Sequence, residues 1–354
     1  SWDRRCVYET DVIFSLYMKF PFLIISVFVG LSISCDNEPY EWAPSYNATW
    51  PCENGMADIY PCSGYDLMSY LSLQDLTPEG INNGNLAGND SWGWTDPNTN
   101  KEYALVGLSS HAAFVDISNP SLPVLIGVLP TATVNSSWRD IKVYQNHAFI
   151  VSEASGHGMQ VFDLTRLRDV NDAPEIFTAD THFTDFGSAH NIVINEESGY
   201  AYVVGANRNG PFSGGALFIN IQNPTAPIFE GGFGEEGYSH DAQVINYSGP
   251  DTDHIGKEIL VGSNENEIVI ADVTDKANPI TISTVGYSNI GYTHQGWFTE
   301  DLNHFIVGDE LDELNIGTNT RTLIFNFSDL DNPVYDFDYL GSTLAIDHNG
   351  YPFG

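Results

Sequence analysis

Basic residues are scarce in this chain. Twelve Lys and Arg face 47 Asp and Glu across 354 residues, a formal net charge of -35. Phosphate backbones and anionic lipid surfaces repel such a chain, so DNA, RNA and polybasic membrane docking are excluded. Cysteine is nearly as rare, with four in all and none after Cys62. No stretch of ten or more residues carries a helical period, so strands must build the fold. The motifs G-x-S-x-G, H-E-x-x-H, Walker A and C-x-x-C are missing, and with them the common signatures of nucleophilic, zinc-protease, nucleotide and thiol chemistry. Gly232 to Gly237 spells G-x-G-x-x-G, but no helix pattern follows it and two Glu would face a pyrophosphate. What is present is an apolar content of 42%, enough for a sizeable core.

The longest uncharged apolar run is Phe20 to Ser34, fifteen residues. It is shorter than the roughly 20 residues a membrane-spanning helix needs, and with Met18 and Lys19 before it the run has the outline of a secretory signal. The ending Leu31-Ser32-Ile33-Ser34-Cys35 resembles a bacterial lipobox, which implies a lipid on Cys35; an ordinary signal peptide that happens to contain a Cys is the alternative. On this reading residues 1–17 are upstream read-through and 18–35 are the signal. Residues 36–64 are a tether, and the fold occupies 65–354. The acidic residues Asp36 and Glu38 resemble the surface-export signal of some outer-membrane lipoproteins. The expected address is therefore outside the cytoplasm, on an outer-membrane lipid anchor, facing the periplasm or the cell surface. That anchor is the only membrane contact expected. Cys52 and Cys62, in a Pro- and Gly-containing loop in an oxidising compartment, are expected to form a disulfide.

Beyond residue 65 one unit recurs. A strand such as Ala104 to Leu108 is followed by a second apolar strand that closes on Asp or Asn and turns towards Pro. The closing residues are Asp116, Asp163, Asn220, Asp272 and Asn326, spaced 47, 57, 52 and 54 apart. Repeats of about 40–50 residues with about four strands each are the signature of propeller blades. The expected fold is an all-β propeller of four-stranded blades, with five complete repeats and the start of a sixth at Ala345 to His348. Six or seven blades would make the intact ring, so the chain reads as C-terminally truncated, and Met68 to Leu73 as a closing strand. The phrase Val115-Asp116-Ile117-Ser118-Asn119-Pro120 resembles the LVIVD repeat, and the layout of residues 65–354 is similar to the choice-of-anchor B family. That resemblance implies an exported, surface-associated propeller and carries no catalytic residue.

Aligning the repeats at their first strand stacks Trp92, Trp138, His190, His240, His294 and His348, spaced 46, 52, 50, 54 and 54 apart. First strands line a propeller's channel, so four imidazoles would converge there and could hold a divalent transition metal such as Zn²⁺. The competing reading is that they only bond strand to strand. Asp140, Glu153, Asp241, Asp309, Glu310 and Asp347 are the candidate neighbours or bases, and Arg139 the candidate anion ligand at the channel mouth. The oxygen-rich loops Asp96 to Glu102 and Asp309 to Glu313 are candidate Ca²⁺ sites without EF-hand spacing. Two functions stay open. One is a surface-anchored binding or scaffold module for an extracellular glycan, protein or small ligand. The other is a metal-dependent extracellular hydrolase, phosphatase- or lactonase-like, using the histidine face.

Overall fold

In the computed structural model, residues 49–82 and 84–352 are described. The signal segment, Cys35 and the start of the tether lie outside them. Five antiparallel sheets follow one another along the chain, each a blade. Their first strands are Gly88–Thr95, Arg139–Tyr144, Asn191–Asn195, Asp241–Asn246 and Thr293–Phe298, and these lie side by side in chain order. Four blades are plain four-stranded meanders or close to it, and the first gains Glu175–Ile176 as a parallel fifth strand. Within the described residues there are six sheets, these five and a separate two-stranded hairpin near residue 60. Residues 345–352 run alongside the fifth blade without regular secondary structure, where Gly350 N–H donates to Gln295 Oε1 at 2.9 Å.

The repeat has a local physical cause. Each closing Asp or Asn accepts the N–H two residues ahead, at 3.0 Å for Asp116, 2.9 Å for Asp163, 3.1 Å for Asn220, 3.0 Å for Asp272 and 2.9 Å for Asn326. This Asx turn ends the third strand and starts the loop to the fourth. A register shift recurs just before it in four blades, at Phe114/Val115, Phe218/Ile219, Ile270/Ala271 and Ile324/Phe325. A bulge there adds twist to the outer edge of the blade.

Apolar residues bury themselves between blades. Phe114 and Phe162 stack at 4.7 Å between the first two blades, and Phe305 and Phe327 at 5.2 Å in the cluster joining the last two. Met68 to Leu73 is not a strand. Only isolated bridges occur near it, and Leu71 and Leu73 pack with Leu76 on the open face of the first blade. An apolar alternation is equally satisfied by covering a sheet face as by joining its edge, and here coverage wins. Cys52 and Cys62 are joined as expected, closing the small hairpin of Met56–Ala57 and Tyr60–Pro61.

Candidate functional site

Strand pairing fixes which residues share a level around the channel. Asp140 faces Val151, Asn191 faces Val204, Asp241 faces Ser263 and Gln295 faces Gly308, equivalent pairs in successive hairpins. One residue earlier come Arg139, His190, His240 and His294. The second-blade equivalent of the histidines is thus Arg139, not Trp138. In the first blade, Asp90 bonds the next blade as Asp140 does, which puts Asn89 rather than Trp92 at the histidine level. Aligning on aromatic residues slipped by one and by three positions, because Trp is larger than the register signal that surrounds it.

The imidazoles do converge. Ring centroids step from His190 to His240 at 4.3 Å, to His294 at 4.4 Å and to His348 at 4.3 Å, with Trp138 5.7 Å from His190 at the near end. Their partners divide the row. His190 Nδ1 meets Glu153 Oε1 at 2.6 Å, and His240 Nδ1 meets the His294 carbonyl at 3.0 Å, a strand-to-strand bond. His294 Nε2 lies 3.8 Å from Glu310 Oε2. One ligand atom each from His294, Glu310 and His348 fall within 4.8 Å of one another. Although His348 is an exposed residue, partial loss of water around its ring, and then the neighbouring His190, lower its pKa and favour the neutral form that ligates metals.

The other candidates go elsewhere. Arg139 is fully buried, its Nε donating to the Leu108 carbonyl at 2.9 Å and its guanidinium 3.0 Å from His157 Nε2, so it does not present a charge at the mouth. Asp309 accepts from the Tyr287 hydroxyl and from Gly291 and Tyr292 N–H, at 2.9, 2.7 and 2.6 Å, which leaves it no role as a base. Asp347 lies over Gly308, where a Cβ would meet its carboxyl at 3.2 Å, and feels the charges of Glu313, Asp312 and Asp309. Arginines take up carboxylate oxygens in both oxygen-rich loops, while Asp312 Oδ1 and both Glu313 oxygens are buried without a hydrogen-bond partner among the described residues. Asp96 holds Arg168 through both oxygens at 2.8 and 2.5 Å, and Asp312 holds Arg321 at 2.6 Å. A second set with metal-ligand spacing, Asp251, His254 and Asp331, staples the fourth blade's loop to the fifth blade.

Asp140 and Asp241 line the channel, just inside the imidazole row. Carboxylates there latch blade to blade: Asp90 Oδ2 accepts Ile141 N–H at 3.1 Å, and Asp140 Oδ2 accepts Ile192 N–H at 2.7 Å. Gln243 and Gln295 do the same to Phe298 and Gly350. Lys142 Nζ sits 2.5 Å from Asp140, 3.7 Å from Asp90 and 4.5 Å above the Trp92 ring. Burial, and then the Asp140 charge, push the Asp90 pKa up to about 8, so Asp90 keeps a proton while Asp140 stays ionised beside Lys142. Burial and Asp140 also push Asp241 up to about 7. Sequence reading missed Asp90, Lys142, Trp297 and Tyr351. A Lys two residues after Asp140 in a chain with so few bases was the available signal.

Comparisons with known proteins agree with this architecture. Residues 102–131 match the LVIVD repeat. Those residues hold the second, third and fourth strands of the first blade. A comparison with curated proteins finds no match. Among solved structures, a protein of unknown function from Desulfotomaculum acetoxidans is similar at 13% identity and TM-score 0.50, over 72% of this chain and 70% of that one. A candidate 6-phosphogluconolactonase from Bacteroides fragilis is similar at 12% identity and TM-score 0.50, over 73% and 72%. The β-propeller domain of Cps50 (Swd1) from Myceliophteria thermophila aligns at 9% identity and TM-score 0.40, over 72% and 73%. At these identities the likeness concerns the fold alone and no activity.

Proposed function

We propose that this propeller is an exported, lipid-anchored binding module whose channel face holds a divalent transition metal between His294, His348 and Glu310. The observation that carries the metal is the approach of those three ligand atoms to within 4.8 Å of one another. Two imidazoles and one carboxylate suit Zn²⁺, Fe²⁺ or Mn²⁺ better than a hard cation such as Ca²⁺. His190 and His240 belong to the same row, and each engages a protein oxygen through Nδ1, a bond that fixes the ring of a metal-ligating histidine as readily as that of a structural one. The anchor rests on the lipobox-like sequence ending at Cys35.

Metal analysis of the purified protein after loading with Zn²⁺, beside the double variant His294→Ala/His348→Ala, tests the centre. Near-stoichiometric metal that is lost in the variant is the expected result; equal metal content in both, or none in either, removes the site. Changing Cys35 to Ser should release the protein from membranes into the soluble fraction. Three protein ligands leave positions open on a four- to six-coordinate ion, and that favours a hydrolase as the second reading. A phosphatase and lactonase screen of the loaded protein decides between them, because a binding module turns over neither substrate class.

A further inference from the structure

Inside the imidazole row the channel widens into a cavity of about 200 Å³. Its walls carry three aromatic rings. Trp297 and Tyr351 meet edge-to-face at 4.9 Å, and Trp92 stands 6.4 Å from the other side of Tyr351. Asp140, Lys142, Asp241 and Glu196 supply the charge, and the amides of Asn191 and Gln243 also line the space. Asp241 is 7% exposed. Its Oδ1 accepts the Ala242 N–H at 2.7 Å, while Oδ2 has no hydrogen-bond partner among the described residues. Gln243 accepts Phe298 N–H through Oε1, so its amide nitrogen is left for the cavity.

We infer that this cavity is a binding site for a neutral polyhydroxylated ligand of monosaccharide size. The charge pattern selects against anions, which would meet Asp140, Asp241 and Glu196; Lys142, held by Asp140 at 2.5 Å, opposes a cation less strongly. Hydroxyl groups suit what remains, since each donates to a carboxylate oxygen and accepts from an amide or ammonium. The apolar C–H face of a sugar ring packs against an aromatic wall, and Trp297 and Tyr351 provide one. Pockets for drug-sized ligands start near roughly 300 Å³, so this volume fits one ring and little more. The inference rests on the binding-module reading and gives it a ligand, but it needs no metal on the imidazole row.

Saturation-transfer NMR and calorimetry in the presence of a chelator test it independently of the metal centre. The probes are glucose, galactose, mannose and myo-inositol, with gluconate and glucosamine as charged controls. Saturable binding of at least one neutral probe is expected. Trp297→Ala should weaken it by about tenfold, the effect of losing roughly one aromatic wall, and Trp297→Phe should restore most of it. Asp241→Asn, which preserves shape, should weaken it several-fold, and it serves if the Trp297→Ala protein fails to fold by circular dichroism. No saturable binding of any neutral probe overturns the proposal. So does binding that the folded variants leave unchanged, or equal binding of the charged controls.

Discussion

Replacing Asp90 by Asn should make this protein more stable at alkaline pH, although Asp90 bonds a backbone amide and lies near a lysine. The carboxyl is raised from 3.8 to about 8, first by burial and then by the charge on Asp140. Between those values the folded chain holds a proton that the unfolded chain has released. The folded state therefore binds more protons, and stability falls as pH rises. The contribution is complete below 3.8 and is lost by about pH 8. At about 1.4 kcal/mol per pH unit, the ceiling on the loss is roughly 6 kcal/mol. Lys142, 3.7 Å away, takes up part of the new charge, so about 2–3 kcal/mol is a realistic expectation. Asn imitates the protonated acid at every pH. Its oxygen can accept the Ile141 N–H now held at 3.1 Å, and its NH₂ can donate to Asp140 as the acid does. Urea unfolding of both proteins at pH 4.5, 7 and 9 gives the answer. The variant should gain on the wild type steadily across that range. Parallel stability curves, or a variant that falls behind at pH 9, would refute the shared proton and with it the account of Asp140 as the ionised partner of Lys142.

Other perturbations separate the roles assigned above. Asp140→Ala removes the acceptor of Ile192 N–H and leaves Lys142, whose side chain is 12% exposed, facing Asp90 alone; a loss of about 3–5 kcal/mol in chemical denaturation is expected. Gly158 has φ +61°, and a Cβ there would lie 2.2 Å from the Phe183 carbonyl oxygen, so Gly158→Ala should lower stability by at least about 2 kcal/mol and detach the second blade's last strand, read by hydrogen exchange at residues 181–183. Phe305→Ala opens a hole in the core joining the last two blades and should cost about 3–5 kcal/mol without altering metal content.

The blades were plain in the sequence because their punctuation is local. An Asp or Asn that bonds its own backbone two residues on does so wherever it stands, so Asp116 and its four equivalents mark the third strands without any knowledge of tertiary contacts. The strand Met68 to Leu73 failed for the opposite reason. Alternation states that one face is buried, and says nothing of whether a sheet edge or a sheet face does the burying.

The histidine level was readable for three blades and misread for two, and the reason separates channel chemistry from channel construction. In the third to fifth blades the register residue is itself an imidazole, and the spacing alone finds it. In the first two, Asn89 and Arg139 occupy the level. Asn89 donates to the Arg139 carbonyl at 2.8 Å, and the Arg139 side chain runs back between the blades towards His157. Those blades hold their neighbours with Asp90, Asp140 and Lys142, a charged latch, while Gln243 and Gln295 make the corresponding bonds further on. The amides do this work without a raised carboxyl. A buried acid that must keep a proton is a liability which an amide avoids. Two such acids stand at the aromatic cavity, Asp241 in its wall and Asp90 beside Lys142, and that argues that the charge there answers to a ligand as well as to the ring. The Asp241→Asn protein allows that to be checked directly: greater stability at pH 9, because its carboxyl is pushed up to about 7, together with weaker binding of a neutral sugar is the pairing expected of a residue retained for function. A gain in stability with unchanged binding would return the whole latch to architecture.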